Sequence, residues 1–294
     1  MKTETLGAID IGSNAIRLLI SNVEAGMTHP NFRTSAFLRV PIRLGEDVFT
    51  KGEIDSEKKN RLIDAMEGFL YVMKMYGVSR YKACATSAMR EANNGKEIID
   101  AILEKTGMDI EIISGQEVAD VIFEAGKLNA IMMQKSNYLY VDVGGGSTEV
   151  VVYVNQQRVD SQSFQVGAVR MLANAVEQSE MEKFENWLAE VYNKYETLSV
   201  IASGGNINKA HKIMGKRDGE VIIFPELQVL YNTLSSMTYE QRMRSYSLDP
   251  YRSDVIIPAL EIFLMICRIC CVQNIYVPKV GVVNGIIRNL YYNK

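Results

Sequence analysis

The chain has 294 residues, 47% of them apolar, enough for two ordinary domains with cores of their own. Its net charge is −3 and its isoelectric point about 5.6, with no long basic run, which argues against a broad nucleic-acid footprint. A polyanion bound here must be gripped locally, by loops and a metal rather than by a general field.

Residues 6–23 are expected to form a hairpin. An alternating apolar run leads into Ala8-Ile9-Asp10-Ile11-Gly12-Ser13-Asn14, and a β-rich run follows from Ile16 to Val23. A strand near Phe37–Arg43 comes next, then a polar loop at Arg43-Leu44-Gly45-Glu46. A helix from about Ser56 to Tyr76 carries Leu62, Ala65, Met66, Phe69, Leu70 and Met73 along one face. Tyr81–Thr86 is a short strand running into a helix start at Ser87-Ala88-Met89-Arg90. Ile110–Ile113 is another strand, and Ser114 begins a helix through Ala125.

The second half repeats the order, with a hairpin at 138–154, a strand at 159–166 and a helix from Gly167 into the 170s. An amphipathic helix runs from about Glu180 to Tyr195. The strand Leu198–Ala202 ends in Ser203-Gly204-Gly205, and the next helix carries Lys209. Pro225 opens a further helix and Asp254 an apolar one; Ile275–Val277 and Gly281–Gly285 lead into a terminal helix. Strands alternate with helices in both halves, so the class is α/β with mixed sheets. The repeat sets a boundary near 125–137, giving domains 1–125 and 126–294, with the terminal helix a candidate to pack back on the first.

The stretch Ile256 to Val272 is broken by Pro258, Glu261 and Arg268, so it reads as a buried helix and not a membrane span. The opening MKTETLGAIDIG carries no apolar leader, and a cytoplasmic protein with neither membrane nor nucleic-acid partners is expected. Cys84, Cys267, Cys270 and Cys271 read as reduced core cysteines. Cys267-x-x-Cys270-Cys271 has no second ligand pair, and the only histidines are His29 and His211.

The glycine-bearing turn after Asp10 recurs as Tyr140-Val141-Asp142-Val143-Gly144-Gly145-Gly146, with a second β-rich run from Thr148 to Val154. A repeat at so long an interval indicates a duplicated domain. Bare amides in such turns make a concave anion site, and Asp10 or Asp142 beside them can hold a divalent cation directly or through water. Each copy alone is an ordinary hairpin turn; the pair in matching register favours function. Gly144, Gly145 and Gly146 interrupt a strand-forming run, a cost that phosphate cradling explains, with Ser147 and Thr148 as further donors. Glu149 is either an outward strand residue or a carboxylate orienting water or a metal's hydration shell.

Ser114-Gly115-Gln116-Glu117 fits a capping box, and equally fits a catalytic Glu117 that positions attacking water. Thr86 to Arg90 lies at a helix start suited to an anion, although a lone Arg90 is usually solvated. Ser203, Gly204, Gly205 and Asn206 form a similar turn. Arg43 and Lys209 are the basic side chains nearest the glycine loops. Arg17 lies on the first hairpin, where alternation alone makes it a surface residue.

Together these segments resemble the exopolyphosphatase/guanosine pentaphosphate phosphohydrolase family of the actin-like, sugar-kinase and Hsp70 ATPase superfamily. The matching stretches are AIDIGSNAIRLLI (8–20), ATSAMREA (85–92), EIISGQEVADVIF (111–123), YVDVGGGSTEVVV (140–152), GAVRM (167–171) and IASGGNINKA (201–210), extended by RSDVIIPALEIF (252–263) and GVVNGII (281–287). The resemblance implies two ribonuclease-H-like domains, each a mixed β-sheet flanked by helices, with the active site in the cleft between them. It gives Glu117 the catalytic role, Asp142 and Glu149 the carboxylate roles around Mg²⁺ (or Mn²⁺) and water, and Gly144–Gly146 the phosphate loop. Arg90 and the Ser13–Asn14 turn would face them from the other domain. Val118, Ala15 and Asn206 depart from the family's usual Glu, Ser and SGT turn.

The implied activity is release of terminal phosphate from inorganic polyphosphate, with pppGpp as the alternative substrate. A weak sensor of polyphosphate or (p)ppGpp is a second reading. A sugar or acetate kinase is a third, disfavoured because ISGQE suits water activation. A homodimer is expected from family analogy and the apolar helix 254–272. The chain resembles the family's short, two-domain type, which suggests a preference for short polyphosphates.

Overall fold

Both alternating runs fold as hairpins. In the computed structural model, which describes residues 3–26, 29–123, 137–195 and 197–293, β1 (Thr3–Ile11) pairs antiparallel with β2 (Ala15–Glu24), and β2 with β3 (Asn31–Pro41). After α1 (Leu44–Lys51) and α2 (Ser56–Met75), β4 (Arg80–Ala85) returns parallel to β1. Then come α3 (Ser87–Glu91), α4 (Gly95–Thr106), β5 (Ile110–Ile112), parallel to β4, and α5 (Gly115–Phe123). The sheet order is β3-β2-β1-β4-β5.

The second half copies this plan. β6 (Asn137–Val143), β7 (Thr148–Val154) and β8 (Gln157–Phe164) are antiparallel neighbours. Past α6 (Ala168–Leu172) and α7 (Gln178–Tyr195), β9 (Ser199–Ser203) lies parallel to β6. After α8 (Gly205–Ile213), β10 (Ile222–Ile223), α9 (Phe224–Ser235), α10 (Tyr239–Tyr246), α11 (Pro250–Ser253) and α12 (Ile256–Ile269), β11 (Asn274–Tyr276) pairs parallel with β9. The order β10-β11-β9-β6-β7-β8 is the first sheet's order with one short strand added. This is the two-fold ribonuclease-H-like plan. By contacts the chain divides into unit 1, Met1–Ala125 with Gly281–Lys294, and unit 2, Gly126–Val280.

In unit 1, α2 and α4 cover one face of the sheet. Ile9, Ile11, Leu18 and Ile20 pack there against Leu62, Met66, Phe69, Ile98 and Ile102. The terminal helix α13 (Val282–Tyr292) belongs to this unit and packs on β1, β2, β4 and α5. Its approach to α5 depends on Gly285: a Cβ there would lie 1.7 Å from the Val121 carbonyl oxygen. Gly285→Ala therefore forces two helix backbones apart, and a loss of about 1–3 kcal/mol in urea unfolding is expected.

In unit 2 the apolar α12 is the hub, touching α6, α7, α8 and α9, with Ile256, Leu260, Phe263 and Leu264 fully buried. Its apolar character is thus used within the unit, which removes that argument for a dimer. No helix among the described residues is long and apolar enough to cross a membrane.

Three expectations are corrected. Arg43-Leu44-Gly45-Glu46 is not a polar loop, because α1 starts there. Arg43 caps it in a left-handed conformation (φ 62°), while Leu44 and Val48 are buried. Helices α4, α10 and α11 were not anticipated. Cys271 is exposed, whereas Cys84, Cys267 and Cys270 are buried, with their thiols pushed up to about 12 by burial. The expected boundary at 125–137 and the expected helix end at Ala125 fall mainly outside the described residues.

Candidate active site

In each unit the candidate residues gather at the C-terminal ends of parallel strands, the edge where open α/β sheets bind ligands. In unit 1, Gly12 N–H donates to the Ala15 carbonyl at 3.2 Å and closes the first turn. The start of α1 docks on that turn: Gly45 N–H donates to Ser13 O at 2.8 Å and Arg43 N–H to Asn14 O at 3.0 Å. Ser13 and Ser87 hydroxyls meet at 2.9 Å in the interior. Arg17 donates to Asp10 Oδ2 at 2.5 Å, with Asp10 only 4% exposed.

Arg90 donates to the Ile113 carbonyl at 2.8 Å. It thereby braces the turn that Ser114 and Glu117 close. Ser114 N–H donates to Glu117 Oε2 at 2.7 Å, and Glu117 N–H to Ser114 Oγ at 3.2 Å, so the capping box is real. These bonds, the Ser114 backbone first, hold the exposed Glu117 carboxyl below the usual glutamate range. Val118 turns the other way, into the core at 4% exposure, so this departure does not alter Glu117's exposed surroundings. Ala15 is likewise buried, and Asn206 reaches the Val255 carbonyl at 3.5 Å.

In unit 2 the glycine turn has the same closure, Gly144 N–H to Ser147 O at 2.9 Å. Here α6 replaces α1. Ala168 N–H donates to Gly144 O at 3.0 Å, Val169 N–H to Gly145 O at 2.7 Å, and Arg170 Nε to Gly146 O at 2.9 Å. A trans peptide holds its C=O and N–H on opposite sides, and no cis peptide occurs among the described residues. With the three carbonyls turned toward α6 and Arg170, the amides of Gly145, Gly146 and Ser147 point the other way. Successive outward amides form an anion-binding concavity.

The two sheets place matching residues in matching rows. Across the first runs Arg39–Arg17–Asp10–Cys84–Glu111, each the register partner of the next. Across the second runs Ser163–Glu149–Asp142–Ser203. Asp142 and Glu149 are 8% and 4% exposed and face each other across adjacent strands. Glu149 Oε1 accepts from Ser147 Oγ at 2.6 Å and from Ser163 Oγ at 3.1 Å. Burial first, then the Asp142 charge, hold the phenol of Tyr140 beneath them well above its ordinary value.

At the third turn Gly204 has φ 111°, and a Cβ would meet the Val143 carbonyl at 2.8 Å, so only glycine fits against the end of β6. Ser203 Oγ donates to Val280 O at 2.9 Å. Lys209 is drawn away from this turn. Its ammonium donates to the Ser247 carbonyl at 3.1 Å, and burial, then Lys212 and Arg252, lower its pKa. The guanidinium that reaches the turn is Arg252, donating to Gly205 O at 2.5 Å. Ser163, Arg170 and Arg252 are residues that sequence reasoning did not single out. The stretches GAVRM and RSDVIIPALEIF contained two of them without showing their direction.

A family model of the Ppx/GppA phosphatase family matches residues 19–293. The chain belongs to that family. Among Ppx/GppA relatives, exopolyphosphatase 1 of Mycobacterium tuberculosis is 28% identical over 166 residues, 56% of this chain and 47% of that protein. The chain thus spans about half the length of these mycobacterial relatives. A putative exopolyphosphatase of Haemophilus influenzae is 22% identical over 98% of this chain and 92% of its own. The crystal structure of an exopolyphosphatase from Cytophaga hutchinsonii superposes with a TM-score of 0.85 at 22% identity, covering 99% of this chain and 98% of that one. The Aquifex aeolicus family member superposes at 0.77 and 21% identity, covering 99% of both chains. These likenesses establish the Ppx/GppA fold, two mixed sheets flanked by helices.

Among the described residues no group of three or more His, Cys, Asp or Glu side chains could hold a metal ion. Two facing carboxylates are nonetheless a sufficient protein share for Mg²⁺, which keeps several waters and takes further oxygens from phosphate. Asp142 and Glu149 fit such an ion.

Proposed function

We propose that this chain is a Mg²⁺-dependent phosphohydrolase that releases the terminal phosphoryl group of a linear phosphoanhydride, inorganic polyphosphate first and pppGpp second. The observation that supports it best is the second turn, where three outward amides stand beside two facing carboxylates. Amides of Gly145, Gly146 and Ser147 receive phosphoryl oxygens. Asp142 and Glu149 would hold Mg²⁺, which would supply charge neutralisation. Phosphoryl transition states are loose, so positioning and neutralisation provide most of the catalysis. Glu117, ionised and anchored through Ser114, orients the attacking water with its second oxygen, and Arg90 braces that turn. The exopolyphosphatase names among the relatives support polyphosphate as the first substrate to try.

Phosphate release from polyphosphate, pppGpp and ATP, each with and without Mg²⁺, tests this. Release from polyphosphate only with Mg²⁺ is expected; no release from any of the three overturns the reading. The engagement of Glu117 in its helix cap favours one second reading, a sensor that binds polyphosphate or (p)ppGpp without turnover. Calorimetric binding without phosphate release would establish it.

A further inference from the structure

The two turns are copies in backbone and inverted in charge. Asp10 and Asp142 hold the same position in their hairpins, but the residue opposite is Arg17 in one and Glu149 in the other. Arg17 pairs with the buried Asp10 at 2.5 Å, and its Nη1 lies 3.3 Å from where a side chain on Gly12 would begin, so it lies close over the turn itself. One strand further out stands a second guanidinium, Arg39. On the other side Glu111 is held by Lys82 at 2.6 Å. A divalent cation entering this turn would have to displace a guanidinium from Asp10 and rest beside the Arg17 charge, where like charges at a few ångströms repel strongly.

We propose that Arg17 is a built-in counter-ion that closes the first turn to divalent cations, so that the chain takes a single metal ion, at the second turn. Duplication thus produced two turns of one shape, of which one keeps its cation as a side chain and the other takes it from solution. The remaining guanidinium N–H groups of Arg17 stay available to an anion. The placement of the single ion rests on the phosphohydrolase reading; the closure of the first turn rests on the Asp10–Arg17 pair.

Mn²⁺ uptake by the full chain, followed through the free-ion electron paramagnetic resonance signal, tests this. Wild type and Arg17→Lys are expected to take up one Mn²⁺ per chain. Arg17→Glu, which copies the Asp–Glu arrangement of the second turn, is expected to take up two. Arg17→Gln, a milder change, is expected to show a weaker second ion and decides the matter if Arg17→Glu does not fold. Uptake of none or two ions by wild type, or of one by both folded Arg17→Glu and Arg17→Gln, overturns the proposal. Phosphate release from the same preparations separates the two readings. Absence of release with one ion bound would sink the hydrolase and leave the counter-ion standing.

Discussion

Asp142→Asn is expected to lose turnover while losing no stability. The side chain is nearly isosteric, and it faces Glu149 across adjacent strands in a setting where both are more than nine-tenths buried. Directly opposed like charges in a sheet are destabilising. Neutralising one of them should therefore hold or slightly raise the melting temperature in the absence of metal. Charge neutralisation by a bound metal is worth several kcal/mol in the transition state, so turnover with Mg²⁺ should fall on the order of 10³-fold. Ligand linkage supplies a second readout. A metal at about 100 times its dissociation constant stabilises the native state by ~2.7 kcal/mol, and that Mg²⁺-induced shift should vanish in the variant. A variant that keeps the Mg²⁺ shift would move the metal away from Asp142. One that is less stable than wild type without metal would show that the carboxylate is structural.

The hairpins, the α2 stripe and both glycine turns were legible in the sequence because each rests on local periodicity or on residues with a narrow conformational use. The first helix was not. Leu44-Gly45-Glu46 has the look of a turn, and α1 forms because Leu44 and Val48 find the core and Gly45 docks on Ser13, contacts that local pattern does not contain. The charge inversion between the turns was present in the sequence as Asp10 with Arg17 and Asp142 with Glu149. It becomes readable only once hairpin register makes these pairs cross-strand neighbours. Arg252 illustrates a harder limit. It reaches Gly205 from a distant helix, while Lys209, nearer in sequence, is drawn to Ser247. Nearness along the chain selected the wrong cation for that turn.

Glu117→Gln separates the two roles that the capping box leaves open for this residue. The cap is present, with Ser114 donating to the carboxylate and accepting from the Glu117 amide. Gln serves the same cap position, so folding stability is expected to stay within about 1 kcal/mol of wild type. If the exposed carboxylate orients or activates water, turnover should drop roughly 10²–10⁴-fold with little change in substrate binding. The acid limb carries the same information. Because the Ser114 bonds hold the Glu117 carboxyl below the usual glutamate range, the carboxylate stays ionised throughout the neutral region. Any activity that depends on it, and the small stability its cap contributes, should be lost only as pH falls through that lowered value. A limb near neutrality would have to belong to another group. Near-wild-type turnover in a folded Glu117→Gln protein would confine Glu117 to its helix cap and pass the water-orienting role to Asp142 or Glu149.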